Sequence, residues 1–232
     1  MVTGVSLERV SEKDLFLQRL PRVTSRAFLE IARLSLLART SWYLAGGTAL
    51  ALQTGHRASV DLDFFTEQSR INETALERKL LDTGKWKTSL REDGTLFGLF
   101  HGAKMSFIAY PFFHPKAKRR RYGNIIMLAP EDIAAMKIVA ISQRGRKRDF
   151  IDLYWYCVNR EPLGAVIKRA ARQFPGQEHN IHHILKSMVY FEDAERDLMP
   201  QLYVKMNWQQ IKVFFRQEVS VLVHEFFKYA LP

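Results

Sequence analysis

The spacing of hydrophobic positions changes period several times along this chain, and each change marks an element. Over residues 42–65, W-Y-L-A-G-G-T-A-L-A-L-Q-T-G-H-R-A-S-V-D-L-D-F-F, an apolar run meets a Gly-Gly turn, a short helix follows, and alternation resumes in V-D-L-D-F-F. Alternation is the period of a strand, so Asp61 and Asp63 are expected on one face and Val60, Leu62 and Phe64 on the opposite, apolar one. Before this stretch, residues 1–22 read as one or two helices broken at Pro21, and Ser25 caps an amphipathic helix running to Arg39 through Phe28, Ile31, Leu34, Leu36 and Leu37. After it, Asn72 caps a helix to Asp82 that Gly84 stops. Strand-like runs follow at 86–90, 96–100 and 104–110, with a hairpin at Asp93-Gly94, then a loop over 111–123 and a strand at 124–128.

Pro130 suits the first turn of a helix, and from there the pattern is helical to the end: up to Gln143, then 148–159, 163–174, 179–193 and 208–231. The expected fold class is α+β, a mixed-sheet core over 1–128 followed without a flexible linker by a helical half over 129–232.

With 47% hydrophobic and 12% aromatic residues the chain can bury a real core. The single cysteine, Cys157, sits among Leu153, Tyr154, Trp155 and Tyr156 and reads as a buried thiol of a reducing cytoplasm. No run reaches the ~18 apolar residues of a membrane span, and Glu8, Arg9, Glu12, Lys13 and Asp14 break any leader-like segment, so a soluble cytoplasmic protein with no membrane partner is expected. The formal net charge of +11 favours polyanionic partners. Its densest part, Lys116, Lys118, Arg119, Arg120 and Arg121, is either a solvated loop or a hold on an RNA backbone.

Two carboxylates meeting one small volume favour a hard cation between them, and Mg²⁺ completes its shell with water and substrate phosphate. Gly46-Gly47 permits close backbone approach, and the helix starting near Thr48 offers free N–H groups to an anion. Farther on, Lys137 and Arg144 lie two turns apart on nearly one helix face, ahead of K-R-D-F-I-D-L with Arg148, Asp149 and Asp152. That set would serve a triphosphate and a metal or hydroxyl, or form a salt-bridged surface with Arg148 and Asp152 at i,i+4. His179, His182 and His183 lack a carboxylate at a zinc-site spacing and read as surface histidines.

Y-L-A-G-G-T-A-L-A-L ending in R-A-S-V-D-L-D-F-F, then K-x-x-A-I-x-x-R and K-R-D-F-I-D-L, resemble the motifs of the AbiEii-type nucleotidyltransferase toxins, which include the mycobacterial MenT proteins, within the polymerase-β-like superfamily. The resemblance spans residues 42–153 and implies metal-dependent transfer of a nucleoside monophosphate from an NTP, commonly onto tRNA 3′ ends, with an antitoxin as partner. By position it implies phosphate or nucleotide contacts from Gly46, Gly47, Thr48, Arg57, Lys137, Arg144 and Arg148, with Mg²⁺ or Mn²⁺ on Asp61 and Asp63. By position Asp152 would be the further catalytic carboxylate; the strand position that usually carries a third one holds Ser106, in K-M-S-F-I-A-Y, so either Asp152 takes that role or the enzyme works with a reduced metal site. Beside this reading stand transfer to a small molecule or a protein hydroxyl, and a non-catalytic binding protein that keeps the fold.

Overall fold

The computed structural model describes residues 7–176 and 180–227, the side chains of 226 and 227 excepted. It divides into two compact units, 1–133 and 134–232, with the division inside a helix.

The first unit is built on one eight-stranded sheet. Its strands are β1 (Leu7–Arg9), β2 (Tyr43–Ala45), β3 (Leu62–Thr66), β4 (Trp86–Glu92), β5 (Thr95–Phe100), β6 (Ala103–Ala109), β7 (Arg119–Tyr122) and β8 (Ile125–Met127). They lie in the order β1-β7-β8-β2-β3-β6-β5-β4, so β3 is interior, antiparallel to β2 and parallel to β6. Burial alternates along it: Leu62, Phe64 and Thr66 are fully buried, while Asp63 and Phe65 are half-buried, as is Asp61 just before the strand. The buried face continues through Leu44, Leu96, Phe100, Met105 and Phe107, each such side chain stabilising the unit by about 1.5–3 kcal/mol on leaving water. Helix α1 (Arg22–Arg33) packs on β6, and its Phe28 and Ile31 are fully buried. Helices α2 (Gly46–Thr54) and α3 (Glu73–Leu81) complete the unit, α3 capped by Asn72, whose Oδ1 accepts from Ala75 N–H at 2.8 Å.

Four local expectations change. From Leu7 on, the expected N-terminal α-helices are absent: β1 adds to the sheet edge, pairing Leu7, Glu8 and Arg9 with Arg119, Arg120 and Arg121, and two 3₁₀ turns follow, Glu12–Asp14 and Leu17–Arg19. Helix α1 starts at Arg22, leaving Ser25 in its first turn, and stops at Arg33 because Leu34 is extended (φ −73°, ψ 139°); Leu36 and Leu37 belong to a 3₁₀ turn. The loop expected over 111–123 closes into β7, which pairs antiparallel with β8. Val60 is 49% exposed, not in the apolar layer, since β3 begins only at Leu62.

The second unit takes most of α4 (Pro130–Arg144), then α5 (Lys147–Asn159), α6 (Leu163–Gln173), α7 (Ile181–Met188), α8 (Glu192–Glu195) and α9 (Trp208–Phe227). On α6 the buried stripe Leu163, Val166, Ile167, Ala170 has helical spacing. Phe150 of α5 is the hub of an aromatic core, its ring 5.2 Å from Phe191, 5.3 Å from Phe215 and 5.9 Å from Trp208. The single helix expected over 179–193 is two, since Val189 N–H turns back only three residues, to the Lys186 carbonyl at 3.2 Å.

Candidate active site

Helix α2 leaves β2 through Gly46, whose φ of +71° is open to glycine at little cost. A Cβ there would lie 3.3 Å from Asp63 Oδ2, so the bare backbone lets that carboxylate sit against the start of α2. A Cβ on Gly47 would collide with Nη2 of Arg57, a guanidinium only 2% exposed whose Nη1 donates to the Ala58 carbonyl at 2.8 Å. Ala45, at the N-cap of α2, offers no capping side chain, and the N-terminus of a helix is where backbone N–H groups can receive an anion. The Thr48 hydroxyl shares hydrogen bonds with Ser59 Oγ at 2.8 Å and with the Asp61 carbonyl, and so secures the loop that delivers Asp61.

Asp63 stands in register between Ala45 of β2 and Ser106 of β6. Ser106 Oγ, in a residue 2% exposed, donates to Asp63 Oδ1 at 2.7 Å and holds the carboxylate in one orientation. Asp61, just before β3, is also half-buried. Among the described residues no group of three or more His, Cys, Asp or Glu converges as a metal site, and the acidic chemistry here is that of a pair.

In the helical unit, Lys137 Nζ lies 2.6 Å from Asp149 Oδ1 and 2.7 Å from Asp152 Oδ2, with both carboxylates fully buried. Arg144, 55% exposed, reaches Asp149 Oδ2 with Nε at 3.1 Å, so two cations face two carboxylates. An ammonium has three N–H donors, and these contacts use two. The α4–α5 turn is held from a distance: Asp197 accepts from the Lys147 N–H at 2.9 Å and pairs with Arg146 Nη2 at 2.7 Å. Burial pushes the Asp149 carboxyl up, and Lys137 and Arg144 outweigh it, holding the group below its ordinary value of 3.8. A depressed folded-state pKa contributes stability above the unfolded value that is lost as pH falls through the folded one. Thermal melts taken from about pH 5 to pH 2 should therefore fall more steeply for the native chain than for Asp149→Asn; parallel curves would show that Asp149 is not the acid-labile group.

Sequence spacing placed Lys137 and Arg144 on one helix face and Asp149 in the motif after them; Asp149 is the buried partner they share. Ser59 and Asp197 carry no motif, and only the fold reveals their hold on Thr48 and on the α4–α5 turn. Arg148 is exposed. Of the basic run, Arg119 pairs with Glu67 at 2.7 Å, Arg120 with Glu8 at 3.3 Å, and Arg121 Nε donates to the Gly123 carbonyl at 3.0 Å, while Lys116 and Lys118 are exposed. His182 and His183 are exposed, and His179 lies outside the described residues. Cys157 is only half-buried, yet burial pushes its thiol far up, which keeps it protonated. No helix among the described residues is long and apolar enough to cross a membrane.

Residues 32–97 and 107–226 match the model of a family described as nucleotidyl transferase AbiEii toxin, type IV TA system. The matched segments take in both residue sets, and Ser106 falls in the stretch between them. An uncharacterized protein of Aquifex aeolicus (strain VF5) is 34% identical over 184 residues, covering 77% of this chain and 86% of that one. Among solved structures, a candidate nucleotidyltransferase from H. pylori superposes with a TM-score of 0.51 at 16% identity, over 91% of this chain and 99% of its own. JHP933 from Helicobacter pylori gives 0.51 at 17%, over 91% and 96%. At such identities the likeness is one of fold. MenT4, a nucleotidyltransferase toxin of Mycobacterium tuberculosis H37Rv, gives 0.45 at 16%, over 88% and 86%.

Proposed function

The chain belongs to the AbiEii nucleotidyl transferase toxin family of type IV toxin–antitoxin systems, and from that premise we propose that it transfers a nucleoside monophosphate from an NTP to an RNA hydroxyl, the tRNA 3′ end being the acceptor. The observation that supports this most is the setting of Asp63: oriented by Ser106, seated against Gly46 at the start of α2, with half-buried Asp61 two residues before it. A carboxylate pair beside a helix N-terminus fits a divalent cation carrying phosphate, since Mg²⁺ needs only one or two protein carboxylates and keeps water and phosphate oxygens as its other ligands. Asp61 and Asp63 would hold Mg²⁺ or Mn²⁺, which when bound supplies positive charge where the phosphate gathers negative charge.

The remaining roles fall to the chain's own groups. The N–H groups of Gly46, Gly47 and Thr48 receive phosphate oxygens, and buried Arg57 stiffens that turn with its positive charge. Lys137, with one N–H beyond its two carboxylate contacts, is assigned to the departing phosphates, and Arg144 and Arg148 to the same charge. Asp152, 2.7 Å from Lys137 Nζ, is assigned to the proton of the acceptor hydroxyl, the task left open by a serine at position 106. The family implies an antitoxin, and we assign both partners to the cytoplasm. Incubating the protein with total RNA and each labelled NTP in turn tests the reading: label entering tRNA-sized RNA in the presence of Mg²⁺ is expected. Label entering protein or small hydroxyl compounds instead would overturn the choice of acceptor.

A further inference from the structure

The half-buried face of β3 continues past Asp63 to Phe65, and from there a file of rings leads outward. Tyr43 stacks on Phe65 with centroids 6.3 Å apart, Phe65 meets Tyr110 edge-on at 5.7 Å, and Tyr110 meets Phe112 edge-on at 6.0 Å. Exposure rises along the file: Tyr43 is buried, Phe65 and Tyr110 are half-buried, and Phe112 is 52% exposed. Aromatic surface left in water beside a carboxylate pair is the kind of patch that marks a binding face. The strand rise of about 3.3 Å per residue puts Phe65 about 7 Å from Asp63, so a base resting there belongs to a nucleotide at or next to the reacting one.

The segment that carries Phe112 also carries Lys116 and Lys118, both exposed, and among the described residues their ammonium groups meet no carboxylate. Their loop is pinned: the buried Asp132 carboxylate accepts from the Lys116 N–H at 3.1 Å and the Ala117 N–H at 3.0 Å. Arg119 is turned the other way, its guanidinium 5.1 Å over the Tyr43 ring and paired with Glu67, so it supports the file from beneath. Aromatic faces interleaved with open cations are how proteins hold single-stranded nucleic acid, because every base has a π-face and every step a phosphate.

We propose that Phe65, Tyr110 and Phe112 form a stacking platform for the unpaired bases at the acceptor end of an RNA strand, with Lys116 and Lys118 on its phosphates. The inference rests on RNA being the acceptor. It also sets a preference, since a base locked in a duplex cannot offer its face to a ring.

Phe112 tests it, being exposed enough that its replacement leaves the core alone. Fluorescence anisotropy would compare a labelled single-stranded oligoribonucleotide with a hairpin duplex on the native chain and on Phe112→Ala, Phe112→Leu and Phe112→Trp. Ala and Leu are expected to weaken single-strand binding roughly 5- to 150-fold, the equivalent of one stacked base, while Trp retains it. Duplex binding and NTP binding by isothermal titration should stay put in all three. Lys116→Ala with Lys118→Ala should flatten the salt dependence of RNA binding. Unchanged single-strand binding in Phe112→Ala, or full retention in Phe112→Leu, would overturn the platform while leaving RNA as acceptor. A native chain that binds NTP yet holds no RNA would remove the acceptor reading and the platform with it.

Discussion

Asp63→Asn is expected to slow nucleotidyl transfer by at least about 10³-fold, since a cation-holding carboxylate acts on several kcal/mol of the barrier at about 1.4 kcal/mol per tenfold. Its melting temperature should stay close to that of the native chain. The amide keeps the shape of the carboxylate, so its oxygen still accepts from Ser106 Oγ, and it sits as closely against Gly46. Asp63→Ala is the poorer probe, because it strands the nearly buried Ser106 hydroxyl at a cost of about 1–3 kcal/mol. Asp61→Ala should lose transfer to a similar degree. Single-turnover rates at fixed Mg²⁺, read beside thermal melts, decide the matter: native rates in Asp63→Asn would take this carboxylate out of the chemistry.

Why this region was legible from sequence, and others not, comes down to how local the cause of each element is. The alternation in L-D-F-F put Asp63 opposite Leu62 and Phe64 because β3 is interior and its apolar side must be buried, as Leu62 and Phe64 are. The hairpin at Asp93-Gly94 was equally plain, since its turn requires the positive φ of Gly94 (+72°). By contrast β1 and β7 have no apolar face to announce them. Arg119, Arg120 and Arg121 are strand only because Ile125, Ile126 and Met127 return alongside and Leu7, Glu8 and Arg9 add to the edge. The same holds for charge: from sequence the five cations of the basic run look alike, and three of them turn out to be tied to partners brought by other elements. Lys137 was legible as a cation on one face of α4, whereas its burial between two carboxylates depends on Asp149 and Asp152, which α5 brings to it after the turn at Gly145 (φ +50°).

That burial changes what substitution of Lys137 will show. Lys137→Ala is expected to abolish transfer and also to lower stability by about 3–5 kcal/mol, because it leaves buried Asp149 and Asp152 without the cation that compensates them. Lost activity in that variant alone says nothing about phosphate. Asp152→Asn is gentler: Lys137 keeps its contact with Asp149, so the fold should hold while turnover falls by roughly 10²–10⁴-fold, the range for a lost general base, with NTP affinity little altered. The combination Lys137→Met, Asp149→Asn and Asp152→Asn removes the buried charges together, and replacing a buried ion network by neutral groups of similar volume is often close to neutral for stability. It should therefore melt near the native temperature and remain inactive, separating the structural task of the cluster from its chemical one. If Asp152→Asn instead weakens NTP binding in step with turnover, Asp152 acts by holding Lys137 in place for the triphosphate, and the proton of the acceptor hydroxyl must go elsewhere.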